Sequence, residues 1–318
     1  MGMVFADLKN DYIFRRIFGT HPDILRGLLN DLLERTGDET IEEIEYLPSE
    51  QLPLVAGAKL SILDVRCKDR GGNRFVVEMQ LIHIQGFLNR VIYNGCKAYA
   101  DQLAVGKPYA NLTDVVAISI CDFELWPDAT QDQNKLCRVP MLSRWFMTEP
   151  SLDREDLKKD QNKLMQVQYA FLELPKLPEE KPAGGAALWA WLFVHAPELT
   201  DIPDDLPPGP FREALDLANQ GKFTQLGLDA YRKAMDEIQQ AREYGAAKEA
   251  EGFSEGRIAG FIKALIAILR ARGFTVSLEA RARIDACKDI ATLNRWILRA
   301  ATAVSVEDVL AESTKERA

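Results

Sequence analysis

The chain has 318 residues, 47% of them hydrophobic and 27% charged, with a formal net charge of −9 at pH 7. That length exceeds what one hydrophobic core usually serves, so two domains, or one domain with a substantial appendage, are expected, and the composition excludes a fibrous or wholly disordered chain. The negative balance excludes a global electrostatic attraction to nucleic acid, so any such binding has to be local.

No apolar run reaches the ~18 residues of a bilayer span, and MGMVFADLKNDYIFRRIF lacks the continuous apolar stretch of a secretory signal. A soluble, cytoplasmic protein with no membrane partner is expected. Cys67, Cys96, Cys121, Cys137 and Cys287 are widely separated and form no CxxC pair, which fits reduced thiols better than a zinc site.

In chain order, Ile13, Phe14, Ile17 and Phe18, then Ile24, Leu25, Leu28, Leu29, Leu32 and Leu33 follow helical spacing, broken at Gly19-Thr20-His21-Pro22. The pattern predicts two helices, the second with Pro22 in its first turn. IEEIEYLP (41–48) alternates as a short strand, and LSILDVRC (60–67) and RFVVEMQL (74–81) are β-rich runs flanking KDRGGN, hence a hairpin with a Gly-rich turn. A helical pattern then runs from Gly86 to Leu103, with Gly106 placed to end it, followed by an apolar strand at Val115–Ile120 and a further strand in QYAFLELPKL. PEEKPAGG (178–185) and DIPDDLPPGP (201–210) read as linkers around a helix at Leu188–Val194, whose aromatic LWAWLFV run suits core packing. Beyond residue 211 every periodic segment is helical, and Gly273 stands where a C-cap is needed after FIKALIAILRARG. The expected organisation is an α/β domain over 1–178 (helix, three strands, helix, strand), a helical connector over 179–245, and a small all-α domain over 246–318.

The chemistry rests on the hairpin. Side chains two apart in a strand share a face, so Glu78 and Gln80 point the same way; symmetry about Gly71 sets Asp64 opposite Glu78, about 5 Å away. Two carboxylates that close repel by roughly 3 kcal/mol at an effective dielectric near 20. A shared proton would relieve the repulsion, but a hard divalent cation, Mg²⁺ or Mn²⁺, suits paired oxygen ligands better. Such an ion at Asp64 and Glu78 would make a phosphodiester hydrolase, with Gln80, a neutral amide, able only to orient groups. The bland alternative makes both acids ordinary strand residues, one of them paired with Arg66 or Arg74.

Several runs taken together carry a resemblance: LKNDYIFRRIFG, LLNDLL, LDV followed by VVEMQ, RVIY with Tyr99, Gln102, Gly106 and Tyr109 in order, and FLELPKL. Over roughly residues 5–177 they resemble the Rpn (recombination-promoting nuclease) and transposase family of the PD-(D/E)XK nuclease superfamily. The resemblance implies a restriction-endonuclease-like core, Mg²⁺-dependent DNA cleavage, no small-molecule cofactor, and a role in recombination or defence against foreign DNA. It assigns Asp64 and Glu78 to the superfamily's acids and Gln80 to the place of its usual lysine, a departure that leaves a catalytically silent binding module as the alternative.

Asp11 is a further candidate acid near the metal, or simply an acid at a helix N-terminus. Arg90, Tyr93 and Lys97 fall on one face of the helix after the hairpin, placed to meet DNA phosphates, with core packing the favoured reading for Tyr93. His83 is a candidate base or an ordinary surface residue. The stretch containing Arg270, Arg272, Arg281, Arg283, Lys288, Arg295 and Arg299 is either a basic DNA contact or a solvated helical face. A homodimer remains open.

Overall fold

Alternating and continuous apolar runs build the sheet, and the two helical periods at the start cover one of its faces. In the computed structural model, which describes residues 2–51, 61–103, 106–127, 139–147 and 166–311, α1 (Asp11–Phe18) and α2 (Pro22–Leu32) precede β1 (Ile44–Tyr46). A small antiparallel pair, β2 (Glu50–Gln51) and β3 (Ser61–Ile62), leads to the hairpin of β4 (Val65–Asp69) and β5 (Arg74–Gln80). α3 (Phe87–Ala100), β6 (Val115–Cys121), β7 (Leu142–Trp145) and β8 (Val167–Glu173) follow. Among the described residues these strands give one mixed sheet in the order β1-β4-β5-β6-β8-β7. Its middle, β5-β6-β8, is parallel, and its flanks are antiparallel. The expected α/β core with a helical C-terminal region is what forms; β7, four residues at a sheet edge, has no counterpart in the sequence reading.

Burial explains the layering. β6, the central parallel strand, is buried along its whole length, as a strand covered on both faces must be. Phe75, Val77 and Met79 of β5 join Val116, Ile118 and Ile120 in the main core, together with the apolar faces of α1 and α2. The opposite face carries Val76, Ala117, Cys121 and Phe171, packed against Phe87, Val91 and Ala98 of α3. Strand parity therefore places Glu78 and Gln80 on the α3 face.

The hairpin register runs from Lys68↔Arg74 to Val65↔Val77. Its turn is held by Asp69, whose carboxylate accepts the Asn73 backbone N–H at 2.9 Å and the Asn73 amide at 2.9 Å, and by Gly72 at φ +86°, a conformation costly for other residues. The symmetry expected about Gly71 is the observed one.

Two compact units are distinguished, Met1–Ile238 and Gln239–Ala318. α4 (Gly185–His195) and α5 (Pro210–Ala218), inside the segment read as a connector, contribute Leu188, Trp189, Phe193, Phe211 and Leu215 to the first unit's core. Trp189 is fully buried, with its ring 4.5 Å from Phe211, and donates its indole N–H to Asp31 at 2.8 Å. α6 (Gln225–Ala271) begins in the first unit and ends in the second, stopping where Gly273 takes φ +78° and the Phe274 N–H bonds back to the Leu269 carbonyl at 3.0 Å.

The second unit packs Leu265 and Leu269 of α6 against α7 (Leu278–Ala286), α8 (Ile290–Ala300) and α9 (Val306–Leu310), with Ser277, Asp289 and Ser305 capping the last three. Its basic stretch is partly spent internally. Arg272 donates to the Ala300 and Ala303 carbonyls at 2.8 and 2.7 Å, Arg281 pairs with Asp285 at 2.7 Å, and Arg283 lies over the Trp296 ring. Among the described residues no helix is long and apolar enough to cross a membrane.

The ELPK segment has a structural role. Glu173, 0% exposed at the end of β8, pairs with Lys176 at 3.0 Å and accepts the backbone N–H groups of Leu125 and Trp126 at 2.7 and 3.2 Å, while Lys176 also donates to the Val139 carbonyl. Removing one partner of such a pair strands a buried charge, so Glu173→Ala is expected to cost about 3–5 kcal/mol in urea unfolding. Glu173→Ala combined with Lys176→Met should lose less; an unchanged midpoint for the single variant would contradict this account.

Candidate active site

The site lies where β4 begins and β5 ends. Asp64 stands one residue before the Val65↔Val77 pair, which puts it opposite Glu78, as the sequence led one to expect. Its Oδ2 accepts the Met79 backbone N–H at 2.9 Å, pinning the carboxylate to the neighbouring strand. Its Oδ1 accepts two hydrogen bonds from Arg15 of α1, from Nε at 3.2 Å and from a terminal nitrogen at 2.9 Å. Arg15 itself is 47% exposed along its side chain.

Glu78 is only 7% exposed. Its Oε1 accepts a hydrogen bond from the Asn94 amide of α3 at 3.0 Å, and Arg90, one turn earlier on α3, comes within 3.8 Å of Oε2. The Arg90 guanidinium donates instead to the Gln80 side-chain oxygen, and the Gln80 amide donates to the Met79 carbonyl at 2.8 Å. No described residue donates a hydrogen bond to Glu78 Oε2, whose cationic neighbour is Arg90, and Asn94 Oδ1 is buried without a partner. Burial pushes the Glu78 carboxyl above the ordinary carboxylate range; Asp64 adds to that, while Arg90 and Asn94 oppose it.

Asp11 opens α1, but Asn10 does the capping, accepting the backbone N–H groups of Tyr12 and Ile13 at 3.0 and 3.3 Å. Asp11 is instead the third acid of the region. Partial desolvation raises its pKa first, Asp64 and Glu237 raise it further, and Arg15 lowers it. The acids form a chain of electrostatic neighbours, Asp11 to Asp64 to Glu78, with arginines from two helices set among them.

The bland pairing is not the one observed. Arg66 donates to the carbonyls of Pro48 and Glu50, and it is Arg15 and Arg90, from helices, that meet the acids. The α3 face expected to present three groups to DNA is divided: Arg90 turns to Gln80, Tyr93 is 43% exposed, and Lys97 is 5% exposed. His83 packs edge-on to Phe123 and Phe87. Sequence reasoning missed Arg15 and Asn94. Asn94 falls four residues after Arg90, a spacing that could have announced it; Arg15 is separated from Asp64 by 49 positions and left no local signal.

The donor set fits a hard cation. One oxygen of the largely buried Glu78 side chain accepts no hydrogen bond from a described residue, the Asp64 carboxylate is held by an exposed and displaceable arginine, and every nearby acid offers oxygen. Among the described residues no group of three or more His, Cys, Asp or Glu side chains is close enough to hold a metal, so a bound ion would take two carboxylates and complete its shell from water or phosphate.

A family model described as PD-(D/E)XK nuclease family transposase matches residues 8–243, extending past the resemblance read from the sequence to include α4, α5 and the start of α6. No curated protein and no solved structure matches the chain. With more than half of its length matched and the acidic hairpin in place, the chain belongs to the PD-(D/E)XK nuclease family transposases.

Proposed function

We propose that this protein is a divalent-metal-dependent DNA endonuclease, with Asp64 and Glu78 as the residues that hold Mg²⁺ or Mn²⁺. The observation that carries the reading is the Glu78 carboxylate: buried, lacking a hydrogen bond on one oxygen, and facing a second carboxylate across the hairpin. An ion bound there would polarise the phosphodiester and lower the pKa of a bound water.

The chain's own groups do the rest. Gln80 orients the phosphate or water through its amide and tethers the Arg90 guanidinium beside Glu78. Arg90 offers its guanidinium to the phosphate charge, with Tyr93 on the exposed side of α3 beside the strand. Asp11 adds a third carboxylate near Asp64 at the N-terminus of α1. The proposed role extends to DNA recombination, transposition or defence against foreign DNA, and the description of the matching family as nuclease family transposase supports that reading.

A second reading has specific support: Arg15 fills both available directions at Asp64 Oδ1, and a glutamine stands where the superfamily's lysine would be. A silent nuclease fold acting through partner contacts would keep that ion pair permanently. Nicking of supercoiled plasmid separates the two. The nuclease reading expects Mg²⁺- or Mn²⁺-dependent nicking by the wild type and a loss of at least about 100-fold in Asp64→Ala and Glu78→Ala, the scale seen when a charge-stabilising group is removed. Equal residual activity in all three proteins would select the silent module.

The raised Glu78 pKa gives a second check. A carboxyl whose pKa is higher in the folded state favours folding while protonated, so its contribution is present below the unfolded value and lost as pH rises through the folded one. In EDTA, Glu78→Gln is therefore expected to melt higher than the wild type at neutral to alkaline pH, with the gap closing in acid. Mn²⁺ should then raise the melting temperature of the wild type and leave Glu78→Gln unmoved. A wild type that melts higher than Glu78→Gln in alkaline EDTA would remove the electrostatic argument.

A further inference from the structure

Beside Asp64 lies a cleft of about 590 Å³ lined by Asp11, Tyr12, Arg15, Arg16, Thr20 and Ala234. That volume is in the range of small-ligand sites and accommodates a nucleotide-sized piece of a strand. Arg16 is the side chain that the reading above leaves without a task. Its guanidinium lies 4.4 Å from the centre of the Phe223 ring, and none of its N–H groups is bonded to or ion-paired with a described residue. A pre-oriented fork of unspent donors is what recognition of a phosphate needs. Tyr12 and Thr20 bring hydroxyl groups to the same cleft, although Thr20 Oγ1 already donates to the Arg16 carbonyl at 2.5 Å.

Arg15 connects this cleft to the active site. It lines the cleft and at the same time donates two hydrogen bonds to Asp64 Oδ1. An ion that takes Asp64 has to displace it, and its exposed side chain can turn into the cleft at once. With Arg15 bonded to Asp64, Arg16 is the guanidinium in the cleft with no hydrogen-bond partner among the described residues, and the acids there are Asp11 and its neighbour Glu237. With Arg15 released, two guanidinium forks oppose those two acids.

We propose that the cleft on α1 is a phosphate subsite for the DNA strand next to the scissile position, held by Arg16 and completed by Arg15 when a divalent ion takes Asp64. The proposal rests on the nuclease reading above. It makes strand binding and ion binding mutually reinforcing: the ion frees the second fork, and a phosphate in the cleft keeps Arg15 from returning to Asp64.

Fluorescence anisotropy of a labelled DNA duplex, titrated with the full-length protein in Ca²⁺ and in EDTA, tests it. The wild type should bind more tightly in Ca²⁺. Arg16→Gln should weaken that binding about 10-fold and lower the salt slope by about one, and Arg16→Lys should restore the slope but only part of the affinity. Arg15→Gln should cost affinity in Ca²⁺ and not in EDTA, a split that a merely structural arginine would not produce. Urea midpoints identify any variant that fails to fold, in which case Arg16→Lys and Arg15→Gln carry the test. Wild-type binding with an unchanged Arg16→Gln, or an Arg15→Gln loss equal in both conditions, overturns the subsite alone. A wild type that binds no duplex in either condition overturns the subsite together with the nuclease reading.

Discussion

The arrangement of this site follows from one antiparallel register. Pairing Val65 with Val77 sets Asp64 opposite Glu78, and the two-residue period of β5 then turns Glu78 and Gln80 toward α3 while Phe75, Val77 and Met79 enter the main core. A register slipped by one residue would send a carboxylate into that apolar core and lift the core residues out of it. Within the hairpin, the sheet therefore tolerates a buried acid at this point of the register. α3 responds by carrying Asn94 and Arg90 one turn apart on its sheet-facing side, among Phe87, Val91 and Ala98.

In this member of the PD-(D/E)XK nuclease family transposases, whose net charge is −9, charge is organised locally. Its acids converge at the hairpin, and cations reach them from helices on the two sides of the sheet, Arg15 from α1 and Arg90 from α3. The two cations differ in mobility. Arg90 is tethered to Gln80 and flanked by the Phe87 ring, whereas Arg15 lies half in solvent. An arginine beside a carboxylate acts as an internal counterion, and the more exposed one is the cheaper to replace with a metal ion.

Much of the architecture was legible because it is written in local periodicity. The helix pair before β1, the hairpin with its Gly-rich turn, and the strand ending at Glu173 each have a period and a stop signal within a dozen residues. So does the opposition of Asp64 and Glu78, which needs only strand alternation and a symmetric turn. The partners of those acids were not legible in the same way. Arg66 is nearer in sequence to Asp64, yet strand geometry commits it to the Pro48 and Glu50 carbonyls, and only tertiary packing brings Arg15 across. Glu173 shows the converse: its ELPK segment carried part of the family resemblance, and the structure spends it on a buried ion pair that holds loops together. Lys97, by spacing a phosphate contact, is buried because the face of α3 it shares with Arg90 packs on the sheet.

The central claim is that Asp64 and Glu78 share one divalent ion. Anomalous scattering from a crystal soaked in Mn²⁺ tests it with no dependence on turnover. The account predicts a peak between the two carboxylates, with the Arg15 guanidinium withdrawn from Asp64. Absence of that peak at saturating Mn²⁺, with Arg15 still bonded to Asp64, would contradict it.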